Sequence, residues 1–278
     1  MTHATGTEHD AGGGNVAQDL DDLLGVLRTI AERAGKAILT YYVEGQEIEV
    51  ATKDDDSPIT KADLAADEVV RQALETLTPH IPVVTEERFD QGQAPEVGER
   101  FWLVDPLDGT KEFISRNGEF TVNIGLIEHG APVAGVVHAP ALAMTWAGAV
   151  GPDGTGKAIF AETDREQTMP IHARQIPDAG ATVVASRRHG DPDEMKAFLG
   201  ARPIADTRNA GSSVKFCLIA SGKADIYPRF GRTMEWDTAA GHAVLAAAGG
   251  RVETTEGAPL TYGKPGFENP QFVAYGLD

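Results

Sequence analysis

The stretch Trp102-Leu-Val-Asp-Pro-Leu-Asp-Gly-Thr110 restricts the fold of this chain more tightly than any other. The apolar run Phe101 to Val104 predicts a buried strand, and Pro106 with Gly109 predicts a turn at its end. Two carboxylates, Asp105 and Asp108, and the Thr110 hydroxyl are then fixed at one strand tip. Carboxylates so close repel each other unless a cation or proton intervenes, and oxygen ligands of this kind suit a hard cation such as Mg²⁺. Gly109-Thr110 predicts the start of a short helix, whose free N–H groups favour a phosphate beside such a cation. The same residues also fit an ordinary Asp-Pro, Asp-Gly loop with solvated acids, and the local pattern alone leaves both readings open.

Upstream, residues 1–18 are rich in Gly, Thr and His and nearly devoid of apolar side chains, which predicts a mobile N-terminal tail. From Asp19, Leu20, Leu24, Leu27, Ile30, Ala31, Ala34 and Ile38 recur at helical spacing. Ile48 and Val50 predict a short strand, and an acidic loop covers 54–58. Thr60-Lys-Ala-Asp63 opens a second helix as a capping box, which is the local reading of Asp63. Val83 to Glu87 predicts a strand finishing in two acids, Glu86 and Glu87, which on their own read as exposed strand-end residues. Beyond Thr110, alternation over Phe120 to Leu126 and an apolar run Val133 to Val137 predict a hairpin, followed by strands at Met144 to Val150 and Ala158 to Ala161.

After residue 170 the pattern changes to strand (Ala181 to Ala185), helix (Asp193 to Leu199), helix (Ser213 to Ala220) and strand (Ala224 to Tyr227). Asp237 heads an Ala-rich helix, Thr238 to Ala248, and reads locally as its N-cap. Small residues along that helix allow close packing, which would carry Asp237 toward the Asp105/Asp108 turn. The chain is therefore expected to have three parts: the tail 1–18, an α+β part 19–170 with the acidic motif, and an α/β part 171–278. In the second part, His189, the Gly211-Ser212-Ser213 turn, Lys215 and Arg229 have plain readings as a solvated His, a helix N-cap, a surface Lys and a strand-end Arg.

Composition excludes some functions. A net charge of -18, from 24 Lys+Arg against 42 Asp+Glu, argues against a nucleic-acid polymer as partner. The single cysteine, Cys217, excludes an internal disulfide framework, fits a reducing cytoplasm and sits in an apolar run as a core residue. No apolar run is long enough to span a bilayer and no signal-peptide segment is visible, so a soluble cytoplasmic protein is expected. Peripheral membrane contact and oligomeric state stay open.

Trp102 to Phe113 resembles the metal-site motif of the inositol monophosphatase superfamily. Asn117-Gly-Glu-Phe-Thr-Val-Asn-Ile124 is most similar to its 3′(2′),5′-bisphosphate nucleotidase branch, the CysQ type, and Trp236-Asp-Thr-Ala-Ala-Gly241 resembles the family's second motif. The resemblance implies a layered αβαβα sandwich and metal-assisted hydrolysis of a phosphomonoester. It implies two or three Mg²⁺ ions held by Glu86, Asp105, the Leu107 carbonyl, Asp108 and Asp237, with Glu87 as a supporting acid. Asp63 and Thr110 are implied to activate water. Gly109, Thr110, His189, Ser212, Lys215, Arg229 and Asp237 are implied substrate contacts. Adenosine 3′,5′-bisphosphate, and its sulfated relative 3′-phosphoadenosine 5′-phosphosulfate, are the implied substrates. An inositol or sugar phosphate phosphatase is the alternative enzyme, because fold and metal site do not fix the leaving group. An inactive metal- or nucleotide-binding module is the reading from another class.

Overall fold

In a computed structural model the described residues are 16–45, 47–52, 58–163, 165–186 and 192–277. The chain runs α1 (Val16–Leu39), β1 (Val50–Thr52), β2 (Pro58–Thr60), α2 (Lys61–Leu77), β3 (Val83–Thr85), α3 (Glu86–Asp90), β4 (Arg100–Asp108) and α4 (Thr110–Ile114). It continues through β5 (Thr121–Glu128), β6 (Ala131–Ala139), β7 (Met144–Val150), β8 (Gly156–Glu162), β9 (Thr168–Pro170) and β10 (Ala181–Ala185). The last elements are α5 (Pro192–Leu199), β11 (Ile204–Asn209), α6 (Val214–Ala220), β12 (Ile226–Arg229), α7 (Ala239–Ala247), β13 (Arg251–Thr254) and β14 (Phe272–Tyr275).

Two larger sheets organise the molecule. A seven-stranded sheet runs in the order β3-β4-β5-β6-β7-β8-β9, and a five-stranded sheet in the order β11-β10-β12-β14-β13. Leu24, Leu27, Ala31, Ala34 and Ile38 of α1 and Ala66, Val70 and Leu74 of α2 pack on one face of the seven-stranded sheet, against Trp102, Val104, Val122, Ile124 and Val136. Helices α6 and α7 lie between the sheets, where Phe216 and Val244 join Leu103, Tyr227 and Phe272 in a second core. Met195, Phe198 and Leu199 of α5 cover the far face of the five-stranded sheet on Val183, Ile226 and Val273. The five layers are thus αβαβα, the sandwich expected.

Glycines decide how closely α7 approaches. Gly125, Gly135 and Gly148 pair directly across β5, β6 and β7, which makes a bare lane over three strands. A Cβ on Gly135 would lie 2.8 Å from the Ala240 carbonyl, and one on Gly125 2.8 Å from the Ala239 Cβ. Glycine at these three strand positions, facing Ala239, Ala240, Ala243 and the Val244 backbone, lets α7 lie close on the sheet, and this approach seats the N-terminal end of α7 beside the tip of β4.

Several expectations change. Helix α1 already runs at Val16, ahead of the expected Asp19, and residues 1–15 of the expected tail lie outside the described residues. The strand expected at Ile48 and Val50 is Val50–Thr52, and 54–57 of the acidic loop expected at 54–58 are also outside them. The strand at Val83 stops at Thr85, whose hydroxyl accepts the Arg88 N–H (3.3 Å), so Glu86 and Glu87 open a helix instead of ending a strand. Strand β4 continues through Pro106 to Asp108 instead of turning there. Its register slips by one residue, from Asp105 opposite Asn123 to Asp108 opposite Thr121, and a proline with no N–H to donate sits in that bulge. Polar β11 and the short strands β13 and β14 carry no alternation that the sequence reading could use.

Candidate active site

The bulge in β4 has a consequence for chemistry. Residues three apart on a regular strand face opposite ways, but the extra residue returns Asp108 to the side that Asp105 occupies. Asp105 is fixed by accepting the Leu107 N–H (3.0 Å), and Gly109 follows at φ +91°, a conformation that suits glycine. Asp237 arrives from the other motif. It lies in a 3-10 turn, Glu235–Asp237, and its carboxylate accepts the Met234 N–H (2.9 Å), so it caps that turn and not α7 as expected. Carboxylate oxygens of Glu86, Asp105 and Asp237 all lie within 4.8 Å of one another, brought from α3, β4 and the turn before α7. Asp108 and Thr110 border the same cavity of about 320 Å³.

Asp63 holds both of its readings at once. One carboxylate oxygen accepts the Thr60 N–H (2.8 Å) and Thr60 hydroxyl (2.6 Å), completing the capping box of α2. The other accepts the Thr110 hydroxyl (3.1 Å) across the site. Glu87 is buried behind Glu86 in the same helix turn.

Of the expected substrate contacts, Gly109, Thr110, Ser212, Lys215, Arg229 and Asp237 line the cavity, and His189 lies outside the described residues. Lys215 is not a surface lysine. It is 5% exposed, and its ammonium donates to the carbonyls of Ser212 (2.6 Å) and Ala210 (3.4 Å). Burial pulls its pKa down to about 8 against the opposing attraction of Asp108. The Gly211–Ser213 turn does supply the N-cap position of α6, at Ser213 and without a side-chain cap bond, while the Ser212 hydroxyl lies 2.9 Å from the carbonyls of both Asp108 and Glu119. Arg229 ends β12 with one Nη donating to the Arg232 carbonyl (2.9 Å), while its buried Nε has no hydrogen-bond partner among the described residues.

The electrostatics fit a cation. Burial raises the Asp237 carboxyl well above the ordinary range, and the charges of Asp108 and Glu86 raise it further. Burial likewise raises Asp108, opposed by the Lys215 ammonium and by the Asn123 amide. Acids packed this way are strained as anions, and a divalent ion relieves that strain. The cluster contains oxygen donors only, with no Cys or His, which suits a hard cation.

Residues 19–272 match the family model described as "Inositol monophosphatase family". The chain belongs to the inositol monophosphatase family. Within this family it is 47% identical over 244 residues to the "3'(2'),5'-bisphosphate nucleotidase CysQ" of Escherichia coli O157:H7, covering 87% of this chain and 95% of that protein. The protein of the same name from Buchnera aphidicola is 38% identical over 89% of this chain and 91% of its own length. Among solved structures, CysQ from Bacteroides thetaiotaomicron superposes with a TM-score of 0.75 at 33% identity, covering 92% of this chain and 98% of that one. No helix among the described residues is long and apolar enough to cross a membrane.

This member of the inositol monophosphatase family also uses site residues that sequence reasoning missed. Asn123, fully buried, donates to Asp108 (3.3 Å) and to the Ser213 hydroxyl (3.0 Å), which in turn donates to the Asp237 carbonyl (2.7 Å). Thr121 and Asn123 alternate with Val122 and Ile124 and so resemble the wet face of a strand, but α7 covers that face. The available signal was the Ala/Gly helix, which needs a sheet face to pack on.

Proposed function

We propose that the chain is a Mg²⁺-dependent 3′(2′),5′-bisphosphate nucleotidase. It removes the 3′-phosphate of adenosine 3′,5′-bisphosphate to give AMP and phosphate, and accepts 3′-phosphoadenosine 5′-phosphosulfate as a second substrate. The observation that carries this reading is the convergence of Glu86, Asp105 and Asp237 within 4.8 Å beside the Thr110–Asp63 hydrogen bond. The relatives named CysQ support the choice of leaving group.

Glu86, Asp105, Asp108, Asp237 and the Leu107 carbonyl would hold the cations. Two or three Mg²⁺ ions bound there would supply Lewis acidity, acidifying water and offsetting charge on the departing oxygen. The chain's own proton path is short. Thr110 donates its hydrogen to Asp63, so its oxygen lone pairs are turned toward a donor in the cavity; water gives a proton to Thr110 as Thr110 passes its own to Asp63. Thr60 holds the second Asp63 oxygen, which keeps the accepting one aimed at Thr110. Gly109, without a side chain, leaves room at the cavity edge for the Ser212 hydroxyl, which a Cβ there would meet at 2.4 Å. Lys215 and Arg229 give that wall positive charge, and the Arg229 guanidinium is the cation assigned in this reading to the phosphate that is not cleaved.

The test is kcat/KM for adenosine 3′,5′-bisphosphate and 3′-AMP in wild type and Arg229→Met. Losing one charge-assisted contact costs about 1.5–3 kcal/mol, or roughly ten- to a hundredfold, on the bisphosphate. The loss on 3′-AMP is smaller, and the melting temperature is unchanged. An equal loss on both substrates, or no wild-type preference for the bisphosphate, contradicts the assignment.

A further inference from the structure

Glu119 lies just ahead of β5 and is not part of the cavity wall, yet it holds a turn that reaches two of the site's acids. Its carboxylate accepts the main-chain N–H of Gly211 (2.9 Å), 92 residues away in the chain. Its carbonyl shares the Ser212 hydroxyl with the carbonyl of Asp108, 2.9 Å from each. Ser212 sits at φ +48°, a left-handed conformation that a serine adopts only under restraint. Next in the chain, the Ser213 hydroxyl donates to the Asp237 carbonyl (2.7 Å). One turn, Gly211 to Ser213, therefore touches the backbone of both Asp108 and Asp237.

The packing leaves this turn little freedom. A Cβ on Gly211 would lie 2.8 Å from the Glu119 carbonyl, and one on Gly109 2.4 Å from the Ser212 hydroxyl oxygen. Gly211 is buried, so its N–H needs an acceptor, and the Glu119 carboxylate is the one it has. Asp108 belongs to the seven-stranded sheet and Asp237 to the turn before α7, and among the described residues the Ser213 hydroxyl joins them through Asn123 as well.

We propose that Glu119 is a positioning residue of the metal centre: by holding the Gly211–Ser213 turn, it sets Asp108 against Asp237. Without that acceptor the Gly211 N–H is left unsatisfied, Ser212 relaxes from its left-handed conformation, and the two acids lose their shared anchor. The inference rests on the reading of these acids as cation ligands and is independent of which phosphate ester is hydrolysed.

The test is the Mg²⁺ affinity of the full chain by isothermal calorimetry, with melting curves, for wild type, Glu119→Gln and Glu119→Asp. Gln keeps an acceptor oxygen at the same reach and removes the charge. Asp keeps the charge and withdraws it by one methylene. Glu119→Asp weakens Mg²⁺ binding by about 10- to 100-fold, the usual effect of losing a support behind a metal ligand, and Glu119→Gln binds as wild type does. Wild-type affinity in Glu119→Asp, with or without a lower melting temperature, overturns the proposal. So does a Glu119→Gln variant that weakens as much as Glu119→Asp, because charge and not the hydrogen bond would then be acting. A wild-type chain that binds no Mg²⁺ would instead overturn the metal-centre reading beneath it.

Discussion

Replacing Asp63 by Asn separates its two roles, because the structure gives each to a different oxygen. The amide oxygen, placed where the Thr60 N–H and hydroxyl point, still accepts both and keeps the capping box. The amide nitrogen then faces Thr110, 3.1 Å away, and donates where the carboxylate accepted. The Thr110 hydrogen has to turn elsewhere, and no base remains to receive its proton. Turnover should fall by about 10²-fold or more, the lower end for general-base effects, which is roughly 2.7 kcal/mol on the barrier. The stability cost stays below about 1 kcal/mol, because Asn remains a good acceptor for a cap. That corresponds to about 2–4 °C in a chain of this size. Steady-state phosphate release and thermal melting read the two effects separately. A variant with near-normal kcat that melts several degrees lower would leave Asp63 as a helix cap alone.

Gly135→Ala tests the glycine lane: its new Cβ, 2.8 Å from the Ala240 carbonyl, should lift α7, cost about 1–3 kcal/mol and weaken Mg²⁺ binding through Asp237. Unchanged melting and affinity would show that α7 can adjust. Burial of His242 lowers its pKa to about 3, so it is neutral in the fold. The stability this contributes is fully present above the ordinary value of 6.5 and is lost as pH falls from there toward 3. In urea unfolding, wild type should therefore lose more stability from pH 7 to pH 5 than His242→Gln does; parallel slopes would refute it.

The sequence showed most of what periodicity and short-range chemistry control. The α1 stripe from Leu20 to Ile38, the hairpin of β5 and β6, and the strand Ala181–Ala185 all formed where their patterns put them. The acids of Trp102 to Thr110 and of Trp236-Asp237 were visible as motifs, and the small residues of α7 correctly implied that Asp237 would approach Asp105. What the sequence hid depends on contacts between distant segments. The bulge at Pro106 is set by pairing with Asn123 and Thr121, the burial of Lys215 by the Ser212 and Ala210 carbonyls, and the role of Glu119 by a turn 92 residues away. Local pattern also cannot show that α7 covers the Asn123 face of β5, so nothing in the strand alternation marked Asn123 as a site amide.

The most direct measurement is the initial rate of phosphate release by the unmodified chain from adenosine 3′,5′-bisphosphate, with Mg²⁺ and after its removal by a chelator, beside inositol 1-phosphate under the same conditions. Release from the bisphosphate should be rapid, stop on chelation and return with added Mg²⁺, and release from inositol 1-phosphate should be much slower. Release that survives chelation would contradict the role given to Glu86, Asp105, Asp108 and Asp237, and faster release from inositol 1-phosphate would contradict the substrate.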